Sequence, residues 1–362
     1  MRVPRLALYS ILCAVSLLLV TTFYFTDWLS PMAASNPWLE NYNRKHHKAL
    51  DDPTLIASIP HELVPTAENR RRLVIVGDVH GMYNELEQML QKVDFNPDRD
   101  HLVAAGDMIS KGPNSPAVVS LMMELGASAV RGNHENSVLM AWAETLGGQT
   151  NTKAKEKHMA TARELSAAQL EWLASLPIIL SATPLPIVIV HGGLVPGVKL
   201  VDQDPWAIMN MRTLLLGRGH GHGHGHQAEK AARSLDPRAL NQGDEVNEDI
   251  GEADLEDTLV TAAAPEGPVD YSSAVPSANR QGIPWADAWN AHQKRLLDFQ
   301  RRTVIYGHDA KRGFRVGDYT FGLDSNCVGG GSLTALVLEA AADEGFKHRS
   351  VQVTCKKSHA QG

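Results

Sequence analysis

The stretch Leu73–Gly81 reads LVIVGDVHG. Its first four residues are apolar and mostly β-branched, the composition of a short buried strand, and the glycines around Asp78-Val79-His80 mark a tight turn. A strand that stops there presents a carboxylate and an imidazole, two residues apart, at its C-terminal end. The same arrangement of strand, glycine and polar ligand type recurs along the chain. His101–Ala105 leads to Gly106-Asp107, and Ala127–Arg131 to Gly132-Asn133-His134-Glu135. Pro186–Val190 leads to His191-Gly192-Gly193, and Thr303–Gly307 to His308-Asp309. Strand ends that share one edge of a sheet converge on one site, the usual ligand position in open α/β sheets. The expected fold is therefore α/β, with Asp78, His80, Asp107, Asn133, His134, His191 and His308 gathered at that edge.

The 362 residues suffice for one large domain or two small ones. A net charge of −7 supplies no basic field to attract nucleic acid, so no nucleic-acid partner is expected. Ahead of the globular part, Leu6–Phe25 is an uncharged apolar run of about twenty residues, long enough to cross a bilayer as a helix. Arg2 and Arg5 precede it and Asp27 follows, which orients the N-terminus to the cytoplasm and the rest to the lumenal or outer side, a type II single-pass arrangement. A cleaved signal is the alternative, although its apolar core usually runs only about 7–15 residues. The expected organisation is a cytoplasmic tip and transmembrane anchor over 1–29, a polar stalk over 30–69 and one catalytic domain over 70–358. Cys327 and Cys355 have the opportunity to pair in an oxidising lumen, and their spacing does not decide whether they do.

Met82–Val93 places Leu86, Met89, Leu90 and Val93 at helical spacing, the crossover helix of a βαβ unit. A second helix is expected near Pro116, a third over Ser137–Glu144, and a fourth that Ser166 caps and that runs to Leu176. From Leu216 to Gly282 the composition changes to a Gly-His run, then an acidic stretch, then Ala, Pro and Ser. Such a segment buries too little apolar area to offset its ordering entropy, so 216–282 is expected to be a disordered insertion. Order resumes at Ile283 with a helix through Leu297, and Tyr319–Asp324, Ser332–Leu338 and Ser350–Val353 read as closing strands.

Mixed carboxylate, imidazole and amide donors suit divalent first-row metals. The number of such donors at strand ends exceeds the needs of one ion. That points to two ions about 3.5–4 Å apart, one carboxylate bridging them and a shared water acting as nucleophile. GDVHG, GDMISKGP, GNHE, HGGLVPG and YGHD, followed by GLDSNCVGGGSLTAL, resemble the signature blocks of the calcineurin-like, PPP-type metallophosphoesterases over residues 73–338. The resemblance implies an α/β/β/α sandwich around a two-metal centre. It implies Asp78 and His80 as ligands of one ion, Asp107 as the bridge, and Asn133, His191 and His308 as ligands of the other. It also implies His134 as general acid and zinc as the first expected metal, with manganese, cobalt or iron as the others. Arg212, after Trp206, resembles the family's phosphate-gripping arginine, a task that suits a guanidinium fork.

Two positions depart from the protein Ser/Thr phosphatase branch, whose second block reads GDxVDRG. Lys111 stands where that branch has a phosphate-binding arginine, and Ser110 where it has the aspartate that pairs with the acid histidine. Without that carboxylate nothing holds His134 cationic, which makes it a weaker proton donor. An alkoxide leaving group needs the proton, whereas a phosphate, with a second pKa of about 6, needs it far less. The two changes therefore lean toward phosphoanhydride cleavage. The GDMxxKGPxS block, the anchor and the lumenal orientation together resemble the fungal vacuolar endopolyphosphatases, close to the ApaH-like phosphatases. That implies cleavage of inorganic polyphosphate in the vacuole, with Arg212 and Lys111 neutralising substrate charge. Lys153, Lys155, Lys157, Lys311 and Arg312 are candidates to guide a long polyanion. The alternatives are a Ser/Thr protein phosphatase, a dinucleoside polyphosphate hydrolase with Trp206 as a stacking partner, and a non-catalytic membrane-tethered metal-binding protein.

Overall fold

The computed structural model describes residues 53–146, 153–216, 271, 274–341 and 345–358. Its strands are β1 (Ile56–Ser58), β2 (Arg72–Val76), β3 (Asp100–Ala104), β4 (Ser128–Ala129), β5 (Ile179–Ser181), β6 (Ile187–Ile189), β7 (Thr213–Leu215) and β8 (Val275–Ser277). They continue with β9 (Ile283–Pro284), β10 (Thr303–Tyr306), β11 (Arg315–Val316), β12 (Thr320–Gly322), β13 (Asp324–Ser325), β14 (Ser332–Ala340) and β15 (Phe346–Thr354). The helices are α1 (Tyr83–Lys92), α2 (Ser115–Glu124), α3 (Asn133–Leu146), α4 (Lys153–Glu164), α5 (Ala167–Ser175), α6 (Pro205–Asn210) and α7 (Trp285–Gln293).

Two six-stranded sheets stack. One has the order β1-β5-β6-β10-β12-β11, and the other β13-β14-β2-β3-β4 with β15 paired to β14. Alternation along β2 shows how the layers form. Leu73 and Ile75 point between the sheets, where they meet Val103, Leu336, Ile187, Ile189, Ile305 and Phe321. Val74 and Val76 point the other way, into a cluster with Leu86 and Met89 of α1, Val118 and Met122 of α2, and Leu173 of α5. On the far side Val188 and Val304 pack with Ile208 of α6 and Trp285, Ala288 and Trp289 of α7. The result is the α/β/β/α order of layers. With both faces of each central strand covered, those strands read as unbroken apolar runs. Each fully buried Leu, Ile or Val contributes about 1.5–3 kcal/mol.

Local signals set the helix starts. Asn114 accepts from the Ala117 amide ahead of α2, with Pro116 in the first turn. Ser166 and Gln169 form a capping box at α5, each side chain taking the other's backbone amide. The third helix begins at Asn133, earlier than its apolar pattern suggests, so Asn133 and His134 stand in its first turn.

Several expectations are sharpened or corrected. The motif strands divide between the two sheets of the sandwich that the family resemblance implies, β2, β3 and β4 in one and β6 and β10 in the other, so they meet at a shared end of two sheets and not along one edge. The last part of the expected stalk over 30–69 packs on the domain. Strand β1 pairs in parallel with β5, and Ile59 and Val64 are buried between the sheets. The described part of the expected insertion over 216–282 is ordered, because β8 pairs with β7 and Tyr271 is buried. Residues 217–270 lie outside the described residues, as does the apolar run Leu6–Phe25. Among the described residues no helix is long and apolar enough to cross a membrane. Cys327 and Cys355 are joined by a disulfide, which ties the turn before β14 to the end of β15.

Candidate metal centre

The loops that follow β2 and β3 are laced together, with the amides of Val79 and His80 both donating to the Asp107 carbonyl at 3.0 and 2.9 Å. The loops after β6 and β10 are joined in the same way, Gly307 N–H to His191 carbonyl at 2.9 Å. Other bonds cross between the two sheets, among them that of the Asp78 carboxylate, which accepts the His308 amide at 3.1 Å. The Asp107 carboxylate sits at the N-terminus of α3 and takes the His134 amide at 3.0 Å, a position the helix dipole favours for an anion.

This convergence leaves no room for side chains at two neighbouring glycines. A Cβ at Gly132 would fall on the Asp107 carboxylate, and one at Gly307 on the Asp78 carboxylate. It also bends the backbone. His80, Asp107 and His308 all hold left-handed φ values, of 45°, 51° and 73°. For non-glycine residues that conformation costs about 1–2 kcal/mol each, a strain found at sites where side-chain direction matters.

Donor atoms of His80, Asp107 and His134 lie within 4.8 Å of one another, as do those of Asp78, Asp107 and His191. Asp107 belongs to both groups. Asn133 joins the second through its Oδ1, 2.9 Å from His191 Nε2 and 3.2 Å from His308 Nδ1. The structure thus brings all seven expected residues to one place. Within it Asp78 lies near His191, and His80 near His134, which the resemblance casts as an acid and not as a ligand.

Three imidazoles are fixed by backbone carbonyls. His80 Nδ1 meets the Ile109 carbonyl at 3.0 Å, His191 Nδ1 the Ala105 carbonyl at 2.9 Å, and His308 Nε2 the Asn210 carbonyl at 2.8 Å. A carbonyl only accepts, so each of these nitrogens carries a proton, and the other nitrogen of each ring is turned into the cluster as a donor toward a cation. That is the usual outer-shell arrangement of metal-ligating histidines.

Charge supports the same fit. Burial first, then the Asp324 and Asp107 carboxylates, push the Asp78 carboxyl well above its ordinary range. Burial opposes ionisation of Asp107 too, but His191, His134 and His80 outweigh it and hold that carboxyl well below its usual value. His191 is raised to about 10 because Asp107, 3.3 Å from its Nε2, outweighs burial. Burial, with help from the Lys111 ammonium, pulls His80 down to about 4. Asp107 therefore draws positive charge to the His191 nitrogen while burial keeps His80 neutral, and an anionic carboxylate among imidazoles suits a divalent cation.

The phosphate-binding candidates are close by. Arg212 donates to the Ala278 carbonyl at 2.9 Å and the His308 carbonyl at 3.3 Å, which seats its guanidinium against a candidate ligand. Lys111 follows Asp107 in the same loop with φ 64°. Arg131 is fully buried and donates to the Ala174 carbonyl at 2.6 Å. The residue that sequence reasoning passes over is Glu135. Its buried carboxylate accepts the amides of Asp107, Met108 and Gly132 at 2.8, 2.7 and 2.9 Å, with the Ile109 amide at 3.3 Å. It thereby shapes the loop that carries Asp107. The available signal was an acidic residue in the first turn of a helix that opens with two ligand types.

The calcineurin-like phosphoesterase family model matches residues 71–312. Among curated relatives, the symmetrical bis(5'-nucleosyl)-tetraphosphatase of Vibrio cholerae serotype O1 is 28% identical over 274 residues, 72% of this chain and 93% of its own length. That of Shewanella baltica (strain OS195) is 27% identical over 267 residues, 73% of this chain and 93% of its own. A solved structure assigned to a diadenosine tetraphosphatase has a TM-score of 0.54 and 24% identity, covering 83% of this chain and 98% of its own, a likeness of fold. With two stacked sheets, candidate ligands at the strand ends and a family match over most of its length, this chain belongs to the calcineurin-like phosphoesterase family.

Proposed function

We propose that the chain hydrolyses phosphoanhydride bonds in substrates that carry a chain of phosphates, a dinucleoside polyphosphate first among them. The observation that carries this reading is the surroundings of His134. Among the described residues its buried Nδ1 has no hydrogen-bond partner, and neither has the buried Oγ of Ser110. Asp107 Oδ2 stands 4.0 Å from the opposite nitrogen. Burial accordingly keeps His134 well below its ordinary pKa, with Asp107 opposing and Lys111 adding to the fall. Such an imidazole holds a proton weakly and suits a leaving group that needs little protonation, as a phosphate does. The curated relatives are tetraphosphatases by name, which supports the same bond class.

In this reading Asp78, His80 and Asp107 would hold one divalent ion, and Asp107 with Asn133, His191 and His308 another. Zinc is the first candidate, ahead of manganese, cobalt and iron, because imidazole nitrogen suits it. Two such ions would supply Lewis acidity toward phosphoryl oxygens and a water of lowered pKa. The chain's own part is placement. Arg212 and Lys111 bind the substrate phosphate, backbone carbonyls fix the ring orientations, and His134 faces the departing oxygen.

Inorganic polyphosphate is the second reading. A nucleobase would need an exposed ring to stack on, and Trp285 and Tyr306, which flank Arg212, are buried edge-to-face against each other. Trp206 is half-buried against the same apolar cluster. The test is parallel incubation of the purified chain and divalent ions with diadenosine tetraphosphate, long-chain polyphosphate and a phosphoserine peptide. Nucleoside diphosphate as the product supports the first reading, and shortened polyphosphate chains support the second. Cleavage of the peptide alone contradicts both.

His134→Asn is expected to slow an alkyl phosphoester far more than a phosphoanhydride, by about 10²–10⁴-fold for the ester, while the metal content holds. If elemental analysis finds an ion lost, His134 is a ligand, as its grouping with His80 and Asp107 would allow.

We also infer that the run Leu6–Phe25 anchors the chain with its catalytic domain on the lumenal side, in the vacuole on the resemblance given above. Arg2 and Arg5 on the cytoplasmic flank support this. Protease added to sealed membranes should spare the domain until detergent is present. Digestion of intact vesicles would place it in the cytoplasm.

A further inference from the structure

Beside the ligand cluster, at the C-terminal end of β10, three guanidiniums share one carboxylate. Arg280 Nη2 lies 3.0 Å from Asp309 Oδ1, Arg312 Nε 3.1 Å from Oδ2, and Arg212 Nε 4.0 Å from Oδ1. Three cations against one anion leave a net charge of +2. Arg315 and Asp287 line the same narrow cleft and leave that balance unchanged.

The donors outnumber the acceptors. A carboxylate offers about four lone-pair sites, whereas each guanidinium carries five N–H groups. Among the described residues, Arg280 Nε and Arg312 Nη2 are buried with no hydrogen-bond acceptor. Arg312 Nε faces Asp309 but off the hydrogen-bond axis, so it is unsatisfied as well. Buried cationic donors without an acceptor are costly, and a chain that keeps several together has a use for them when an anion arrives.

The position of the cleft names the anion. Asp309 directly follows His308, and Arg212 donates to the His308 carbonyl, so cleft and ligand cluster share a wall. A group bound here would be joined to one that sits on the ligand cluster. The aromatic walls, Trp285 and Tyr306, are buried and already in edge-to-face contact at 4.7 Å, so they offer no open face to a base. What the cleft offers is forked cationic donors, the chemistry that recognises phosphate oxygens.

We propose that Arg280 and Arg312, braced by Asp309, form a second phosphate subsite that holds a non-scissile phosphate while its neighbour in the same chain occupies the metal centre. This rests on the phosphoanhydride reading above and deepens it, because such a subsite makes the enzyme selective for phosphate chains over single phosphate esters. Asp309 keeps the two guanidiniums apart and screens their repulsion.

The test uses the full chain with divalent ions and three substrates: inorganic tripolyphosphate, diadenosine tetraphosphate and para-nitrophenyl phosphate, which has no second phosphate. In Arg280→Gln and Arg312→Gln, selectivity for tripolyphosphate over the ester, taken as the ratio of kcat/KM values, is expected to fall about ten-fold or more through KM, the effect of one lost charged hydrogen bond. Arg312→Lys, which keeps the charge without the fork, should recover part of it. A fall with diadenosine tetraphosphate as well extends the subsite to nucleotide-capped chains, and a fall with tripolyphosphate alone assigns it to inorganic ones. A ratio within two-fold of wild type in both Gln variants overturns the proposal. Calorimetric titration of chelator-treated protein with tripolyphosphate supplies a readout that does not depend on turnover. Affinity about ten-fold weaker in the variants supports the subsite, and equal affinity counts against it. If the wild type cleaves the ester and neither phosphate chain, the phosphoanhydride reading fails while the titration still tests the subsite.

Discussion

Asp107→Asn is expected to cut phosphoanhydride turnover by on the order of a thousand-fold or more, and to release at least one divalent ion from the purified chain. The size follows from position. Asp107 alone belongs to both groups of donor atoms, and His191, His134 and His80 all direct a nitrogen at its carboxylate. Asparagine keeps an oxygen for the His134 amide, so the start of α3 survives and the protein should still fold. What it loses is the negative charge that draws a cation to the His191 nitrogen. Metal content by elemental analysis, read beside turnover, separates this from a folding defect. A folded variant that keeps its full complement of ions and stays within ten-fold of wild type would show that the bridge lies elsewhere.

Glu135→Gln is expected to cost several kcal/mol of stability, and Glu135→Ala to prevent accumulation of folded protein. Oε1 takes the Met108 and Ile109 amides and Oε2 takes those of Asp107 and Gly132, all buried. A glutamine can present only one oxygen. In either orientation its NH₂ faces two backbone N–H groups, and each unsatisfied buried donor costs about 1–3 kcal/mol. Alanine orphans all four, a sum comparable with a whole domain's stability of about 5–15 kcal/mol. Denaturant midpoints of wild type and Glu135→Gln give the measurement. A shift of less than about 1 kcal/mol would mean that water takes over the role of the carboxylate.

The site was far more legible than its support. Strand, glycine and ligand type recur at Asp78, Asp107, Asn133, His191 and His308 because a ligand must leave a buried strand at its end, and both the apolar run and the break are local. Which strands pair is not local, so the strand-end pattern by itself does not divide β2, β3 and β4 from β6 and β10, and the two-sheet order rested on the family resemblance. Ile56–Ser58 and Val275–Ser277 are too short to show a period. They are strands because β5 and β7 offer them backbone partners. Glu135 and Arg280 carry no pattern of their own. Their significance comes from four converging amides in one case, and in the other from a carboxylate that lies 29 residues further along the chain. The Cys327–Cys355 bond likewise depended on the β14–β15 pairing, which places Ser332 beside Thr354 and so brings the two cysteines together.

The most direct test of the central claim, a two-ion centre that breaks phosphoanhydrides, is a metal titration of the chelator-treated chain followed by turnover of a phosphate-chain substrate at each point. Two equivalents should bind, and activity should rise to its full value only as the second is taken up. Turnover complete at one equivalent, or two equivalents bound with no phosphoanhydride cleaved, would contradict it.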